Sequence, residues 1–197
     1  MKKVLYIITS LLVGMTVASC SKEDVGGTAT ESMAGQWYVM IDAVDDNGTP
    51  INGGEDYFGL GGRVHFLTYN TAANSPTEIW IDDLGQFNVA DMYGNSNYPN
   101  YAIKAKVSID QNTLTFKSSE AENQADPAVF KGGVVVNPMA VTVDGKILKG
   151  AGRQNNGSAA DSIVIFVTYK DDPWFPDDGY TRYKISGIRY SGLVEND

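Results

Sequence analysis

The chain has 197 residues, 24 acidic side chains against 15 basic ones, a formal net charge of −9, one cysteine and one histidine. The basic residues are dispersed, which argues against a nucleic-acid partner, since phosphate binding needs clustered Lys and Arg. A single thiol rules out an internal disulfide, a CxxC redox pair and a thiolate zinc cluster, and a single histidine rules out a histidine-based zinc site.

The chain opens with Lys2 and Lys3, an apolar run from Val4 to Val17, and the small residues Ala18 and Ser19. That run is shorter than the roughly 20 residues a membrane-spanning helix needs, so residues 1–19 read as a cleaved signal peptide. Cleavage leaves Cys20 as the new N-terminus. Val17, Ala18, Ser19 and Cys20 resemble the lipobox of bacterial lipoproteins, which implies an acylated Cys20 and attachment to a membrane by its acyl chains, at about 0.8 kcal/mol per buried methylene. Lys22, Glu23 and Asp24 are similar to the acidic surface-export signal of Bacteroidetes lipoproteins. That likeness implies an outer-membrane protein, lipid-anchored and displayed on the surface of a Gram-negative cell. Residues 20–32 carry the lipid and then "GGTATES", which has no large apolar side chain and reads as a flexible linker. One folded domain, residues 33–197, follows.

Within it, apolar residues recur at every second position. In "YAIKAKVSI", Ile103, Ala105, Val107 and Ile109 share one face and Lys104, Lys106 and Ser108 the other, the alternation of a half-buried strand. Strands are expected near Trp37–Ala43, Arg63–Tyr69, Glu78–Asp82, Tyr101–Ile109, Thr113–Lys117, Val134–Val136, Met139–Val143, Lys146–Gly150, Ser162–Tyr169 and Tyr180–Tyr190. Turns are expected at Asn47-Gly48, at Asp110–Asn112, and at Asp144-Gly145, the dipeptide favoured in type I′ hairpins. "SIVIFVTY" is apolar on both faces, which predicts a cover on its outer side from residues 118–133, with a short helix there. The class is all-β: a sandwich or a closed antiparallel barrel of about eight to ten strands. An eight-stranded barrel is either filled by side chains or just roomy enough for one small ligand.

The domain begins with Gly35-Gln36-Trp37-Tyr38, similar to the Gly-x-Trp of lipocalins and other calycins. The likeness implies a barrel end closed by Trp37 beneath an arginine from the C-terminal region, for which Arg182 and Arg189 are the candidates. A guanidinium stacked on an indole is a favourable contact. The lipoprotein start, this strand and the ending "GYTRYKISGIRYSGL" together resemble the Bacteroidetes lipoproteins named lipid-binding putative hydrolases, over roughly Met33–Leu193. That resemblance implies a calycin-like barrel holding a lipid-like, apolar ligand in its interior.

Catalytic chemistry finds little support in the residues. His65 stands mid-strand in "RVHFLTY" and reads as a packed or surface side chain, and no Gly-x-Ser-x-Gly elbow occurs. The neighbouring carboxylates Asp82-Asp83 and Asp177-Asp178 sit beside glycines and read as solvated turn residues instead of a glycosidase pair. The acidic loop "DDPWFPDDG" lacks the EF-hand pattern, so no metal and no cofactor is expected. Binding is better served. Tyr93 and Tyr98 in "DMYGNSNYPNY", and Trp174 and Phe175 in "DPWFPDDGY", place aromatic faces among polar groups, which suits the entrance to a lipid site. The same residues suit a second reading, an accessory lipoprotein binding surface glycans or partner lipoproteins, and their third role would be to plug a barrel end. A hydrolase is the remaining alternative.

Overall fold

A computed structural model describes residues 27–51, 53–175 and 179–193. Its strands are β1 (Gly35–Val44), β2 (Val64–Asn70), β3 (Glu78–Asp82), β4 (Lys104–Asp110), β5 (Thr115–Ala121), β6 (Ala128–Val129), β7 (Val135–Val136), β8 (Val141–Arg153), β9 (Ala159–Tyr169) and β10 (Arg182–Arg189). Eight of them close into an antiparallel barrel in the order β1-β10-β9-β8-β5-β4-β3-β2, and β6 and β7 pair separately as a small hairpin between β5 and β8. Closure leaves the barrel wall without a free edge.

The period-2 pattern decides which side chains fill the barrel. On β9, Ile163, Ile165, Val167 and Tyr169 are buried, and on β1 so are Trp37, Val39, Ile41 and Ala43. With Phe66, Ile79, Ile81, Phe116, Val143, Ile147, Tyr183 and Ile185 they form one continuous core. The interior is therefore a packed core of aliphatic and aromatic side chains, the filled solution for a barrel of this size. An apolar ligand held within it, as the resemblance implied, would have to displace these chains.

Three expectations need correction. Asp144-Gly145 makes no turn: β8 runs straight through it, with Gly145 paired to Phe116 and Ile165. A Cβ at Gly145 would stand 2.9 Å from Cγ1 of Ile165, so this glycine serves a close approach between strands. Residues 118–133 hold no helix; β5 continues to Ala121 and the β6–β7 hairpin follows, turning at Gly132 and Gly133 with φ of 87° and 81°. The one helical turn among the described residues, α1 (Val89–Met92), lies instead between β3 and β4, capped by the Asn88 side chain. The outer face of β9 is covered by the Arg182 guanidinium, 3.8 Å from the Phe166 ring centre, and by the turn at Gly48, where φ is 79°.

Because neighbouring strands alternate in direction, the connections fall into two sets. The turns after β2, β4 and β8 are short and lie at the end where the chain enters β1. The connections spanning 45–63, 83–103, 122–140 and 170–181 are long and gather at the other end.

At the short-turn end, Trp37 is fully buried and donates its indole N–H to the Thr68 hydroxyl at 3.0 Å, and that hydroxyl donates to the Met33 carbonyl at 2.7 Å. The Arg189 guanidinium lies 4.4 Å from the Trp37 ring centre and donates to the Ala34 carbonyl at 2.9 Å. Gly35 makes room for it, since a Cβ there would be 2.1 Å from Nη1 of Arg189. Residues 28–34 form a turn beneath this plug, with Thr30 and Met33 fully buried, so ordered packing reaches into the segment read as a linker.

Candidate functional site

The long-loop end is tied together by buried polar side chains. Asp83, 0 % exposed, accepts the backbone N–H groups of Gly85 at 3.0 Å, Phe87 at 2.6 Å and Ile103 at 2.9 Å. Asp82 accepts from the Leu84 N–H at 2.8 Å and the Tyr69 hydroxyl at 2.9 Å. The pair read as solvated turn carboxylates is thus buried, because the 83–103 loop folds back over the barrel end and needs acceptors for its own backbone donors. Burial pushes the Asp83 carboxyl up to about 7, against the three N–H donors that pull it down. Asn123 does the same for its neighbours, bonding Lys104 N, the Ala102 carbonyl and the Met139 carbonyl at 2.9, 2.7 and 2.9 Å.

On this scaffold stands an aromatic cluster centred on Asp172. The Tyr101 hydroxyl donates to its Oδ1 at 2.5 Å, the Tyr180 and Tyr183 hydroxyls to its Oδ2 at 2.6 and 3.0 Å, and the Trp174 backbone N–H to Oδ1 at 3.0 Å. The Tyr183 and Tyr180 hydroxyls also lie 2.7 Å apart. Burial, followed by the bond to Asp172, holds the Tyr101 and Tyr180 phenols well above their ordinary pKa, so both keep their protons. Phe58 stacks on Tyr101 at 4.8 Å, Trp174 tilts onto Tyr101 at 5.3 Å, and Tyr57 meets Trp174, Tyr180 and Tyr183 at 6.0, 5.6 and 5.8 Å.

Beside the cluster a half-open cavity of about 270 Å³ is lined by Tyr169, Phe175, Tyr180 and Tyr183 together with Asp171, Asp172, Thr168, Thr181 and Arg182. The four aromatic residues singled out from the sequence all come to this end. Trp174 is half-buried, Tyr98 meets it edge-on at 6.0 Å and Tyr93 meets Tyr98 at 5.3 Å. Phe175, 46 % exposed, packs on Tyr180 at 5.8 Å. Trp174 therefore helps plug the barrel end while Tyr93, Tyr98 and Phe175 stay open to solvent around it.

The remaining candidates fall elsewhere. Arg182 sits on the outer wall over Phe166, donating to the Asp46 carbonyl at 2.6 Å, whereas Arg189 lies on Trp37 at the opposite end. His65 is edge-on between the Tyr38 and Tyr190 rings, 4.8 Å from each, on the outside of β2. Cys20 and Asp177-Asp178 lie outside the described residues. Among the described residues no three His, Cys, Asp or Glu side chains converge as a metal site would require. What the sequence reading missed is Asp172 as the hub, with Tyr57, Tyr169 and Tyr183. The only local signal was an acid beside a proline, in "YKDDPW", and its partner Tyr101 lies 71 residues away.

The chain thus forms a closed eight-stranded antiparallel, calycin-like barrel, plugged by tryptophan and arginine at one end and carrying an aromatic cavity at the other. Residues 22–194 match the model of the family described as lipid-binding putative hydrolase, and the chain belongs to that family. No match was found among curated proteins.

Proposed function

We propose that the protein is a membrane-tethered binding module that takes an apolar, lipid-like ligand at its aromatic end, not within its packed interior. The cavity beside Asp172 carries this reading. It is lined by aromatic rings, open to solvent and continuous with the exposed Phe175, and family membership points to a lipid. Its volume of about 270 Å³ falls just below the roughly 300–1,000 Å³ of pockets that enclose drug-sized ligands. It thus takes one end of an amphiphile, with the rest of the chain lying against Phe175 and the neighbouring rings.

In this reading Cys20 bears the acyl anchor and the protein is displayed on the outer membrane. The described chain enters β1 at the plugged end, opposite the aromatic end, which supports a reading in which the mouth is left open to the medium or an opposing surface.

The test is a titration with a fluorescent monoacylglycerol. Trp174→Ala is expected to weaken binding about tenfold, near 1.4 kcal/mol, whereas Trp80→Ala on the outer wall leaves it unchanged. No binding by the parent protein, together with retention on a polysaccharide that Trp174→Ala abolishes, would replace the lipid reading by the glycan one.

A further inference from the structure

The hydrogen-bond polarity of the cavity specifies the polar end of its ligand, a deduction that rests on the binding site proposed above. A phenol has one proton to give, and an ionised carboxylate has about four lone-pair sites to fill. Asp172 fills its sites with the hydroxyls of Tyr101, Tyr180 and Tyr183 and the Trp174 N–H. The Tyr169 hydroxyl gives its proton to the Tyr101 carbonyl at 2.7 Å. Each of these phenols has therefore spent its donor, and what it can still offer a ligand is an oxygen lone pair and a ring face.

The other lining residues are mixed. The Thr181 hydroxyl donates to the Val44 carbonyl at 3.3 Å, and Arg182 sets its guanidinium over Phe166 with Nη2 on the Asp46 carbonyl and its buried Nε–H unpartnered among the described residues. One guanidinium in the lining thus stands against the two carboxylates of Asp171 and Asp172. An alkanoate would meet lone pairs and negative charge with few donors to receive it. A cation would meet phenol oxygens, electron-rich ring faces and the field of Asp172, the combination by which aromatic cages hold ammonium groups.

We infer that the site is selective for an amphiphile whose polar end is an ammonium group, and that it discriminates against a fatty-acid carboxylate of the same chain length. The phenols bind the ammonium through their lone pairs and faces. Asp172 acts as a positioning residue that fixes which way each phenol points its proton and supplies the negative potential.

The experiment is competition at pH 7.5 against the fluorescent monoacylglycerol, using dodecylamine, an ethanolamine-headed lysophospholipid and dodecanoate, all below their micelle concentrations. Either ammonium probe is expected to displace the reporter at least tenfold more effectively than dodecanoate, and the better of the two shows whether the head group is a free amine or an aminophospholipid. Asp172→Asn should erase the preference. Should that variant fail to fold, Tyr180→Phe serves in its place, since it removes one lone-pair acceptor and should lower the dodecylamine-to-dodecanoate preference, both read against the variant's own affinity for the reporter. Equal or tighter binding of dodecanoate overturns the inference and leaves the lipid-binding site standing. Failure of the reporter and of every competitor to bind overturns both.

Discussion

Gly187→Ala is expected to lower the thermal midpoint by about 10 °C or to prevent folded protein from accumulating, while Ser186→Ala next to it stays within about 0.5 kcal/mol of the parent. Gly187 is buried in β10, paired with Val39 on one side and Ile163 on the other. A Cβ there would lie 1.9 Å from the Tyr38 carbonyl oxygen and 2.7 Å from the Val39 Cα. Those atoms are backbone, so no rotamer change relieves the clash, and β1 must move away from β10. Overpacking of ordinary cores costs about 1–3 kcal/mol, and a clash against main chain belongs at or above the top of that range. A midpoint unchanged from the parent would show that the two strands do not approach this closely.

Asp83→Asn is expected to destabilise the domain by about 3 kcal/mol at neutral pH, because an amide keeps one acceptor oxygen and turns an NH2 toward backbone donors that had a carboxylate. The pH dependence has a defined sign. Burial raises the folded carboxyl to about 7, above the value of about 3.9 in an unfolded chain. The folded state therefore holds the proton more tightly, and this group's contribution to stability is full below about pH 4 and is lost as pH rises through 7. The asparagine variant has no such titration. Urea unfolding at pH 5.5 and 7.5 should show the parent's advantage over the variant shrinking at the higher pH. An advantage that grows with pH would mean that the three N–H donors outweigh burial and hold the carboxyl ionised.

The barrel was legible in the sequence because period-2 burial writes itself directly into residue order: Ile163, Ile165, Val167 and Tyr169 fill the interior as their spacing demands. Gly145 misled for a physical reason. An Asp-Gly pair carries the same letters whether glycine is chosen for positive φ in a turn or for a missing Cβ between strands, and here it is the second. The tyrosines and tryptophans of the open end could be picked out singly as candidates. Their organisation could not, since Asp172 gathers hydroxyls from Tyr101 and from Tyr180 and Tyr183, and only strand order brings Tyr101 to the other two. Arg182 and Arg189 were indistinguishable by residue type; the register of β1 against β10, with Trp37 opposite Arg189, separates them. Nor does composition tell a hollow barrel from a filled one, because interior-facing Ile, Val and Phe line either.

The placement of the ligand is tested most directly by tryptophan quenching with a brominated acyl chain, since the three tryptophans report three places: Trp37 in the plug, Trp80 under Lys106 on the outer wall, and Trp174 at the open end. Variants retaining one tryptophan each, with the other two changed to phenylalanine, would be titrated with a bromine-labelled monoacylglycerol. Saturable quenching confined to the variant that keeps Trp174 is the expected result. Quenching of Trp37 would place the chain inside the barrel and contradict the account, and quenching of Trp80 alone would reduce the binding to adsorption on the wall.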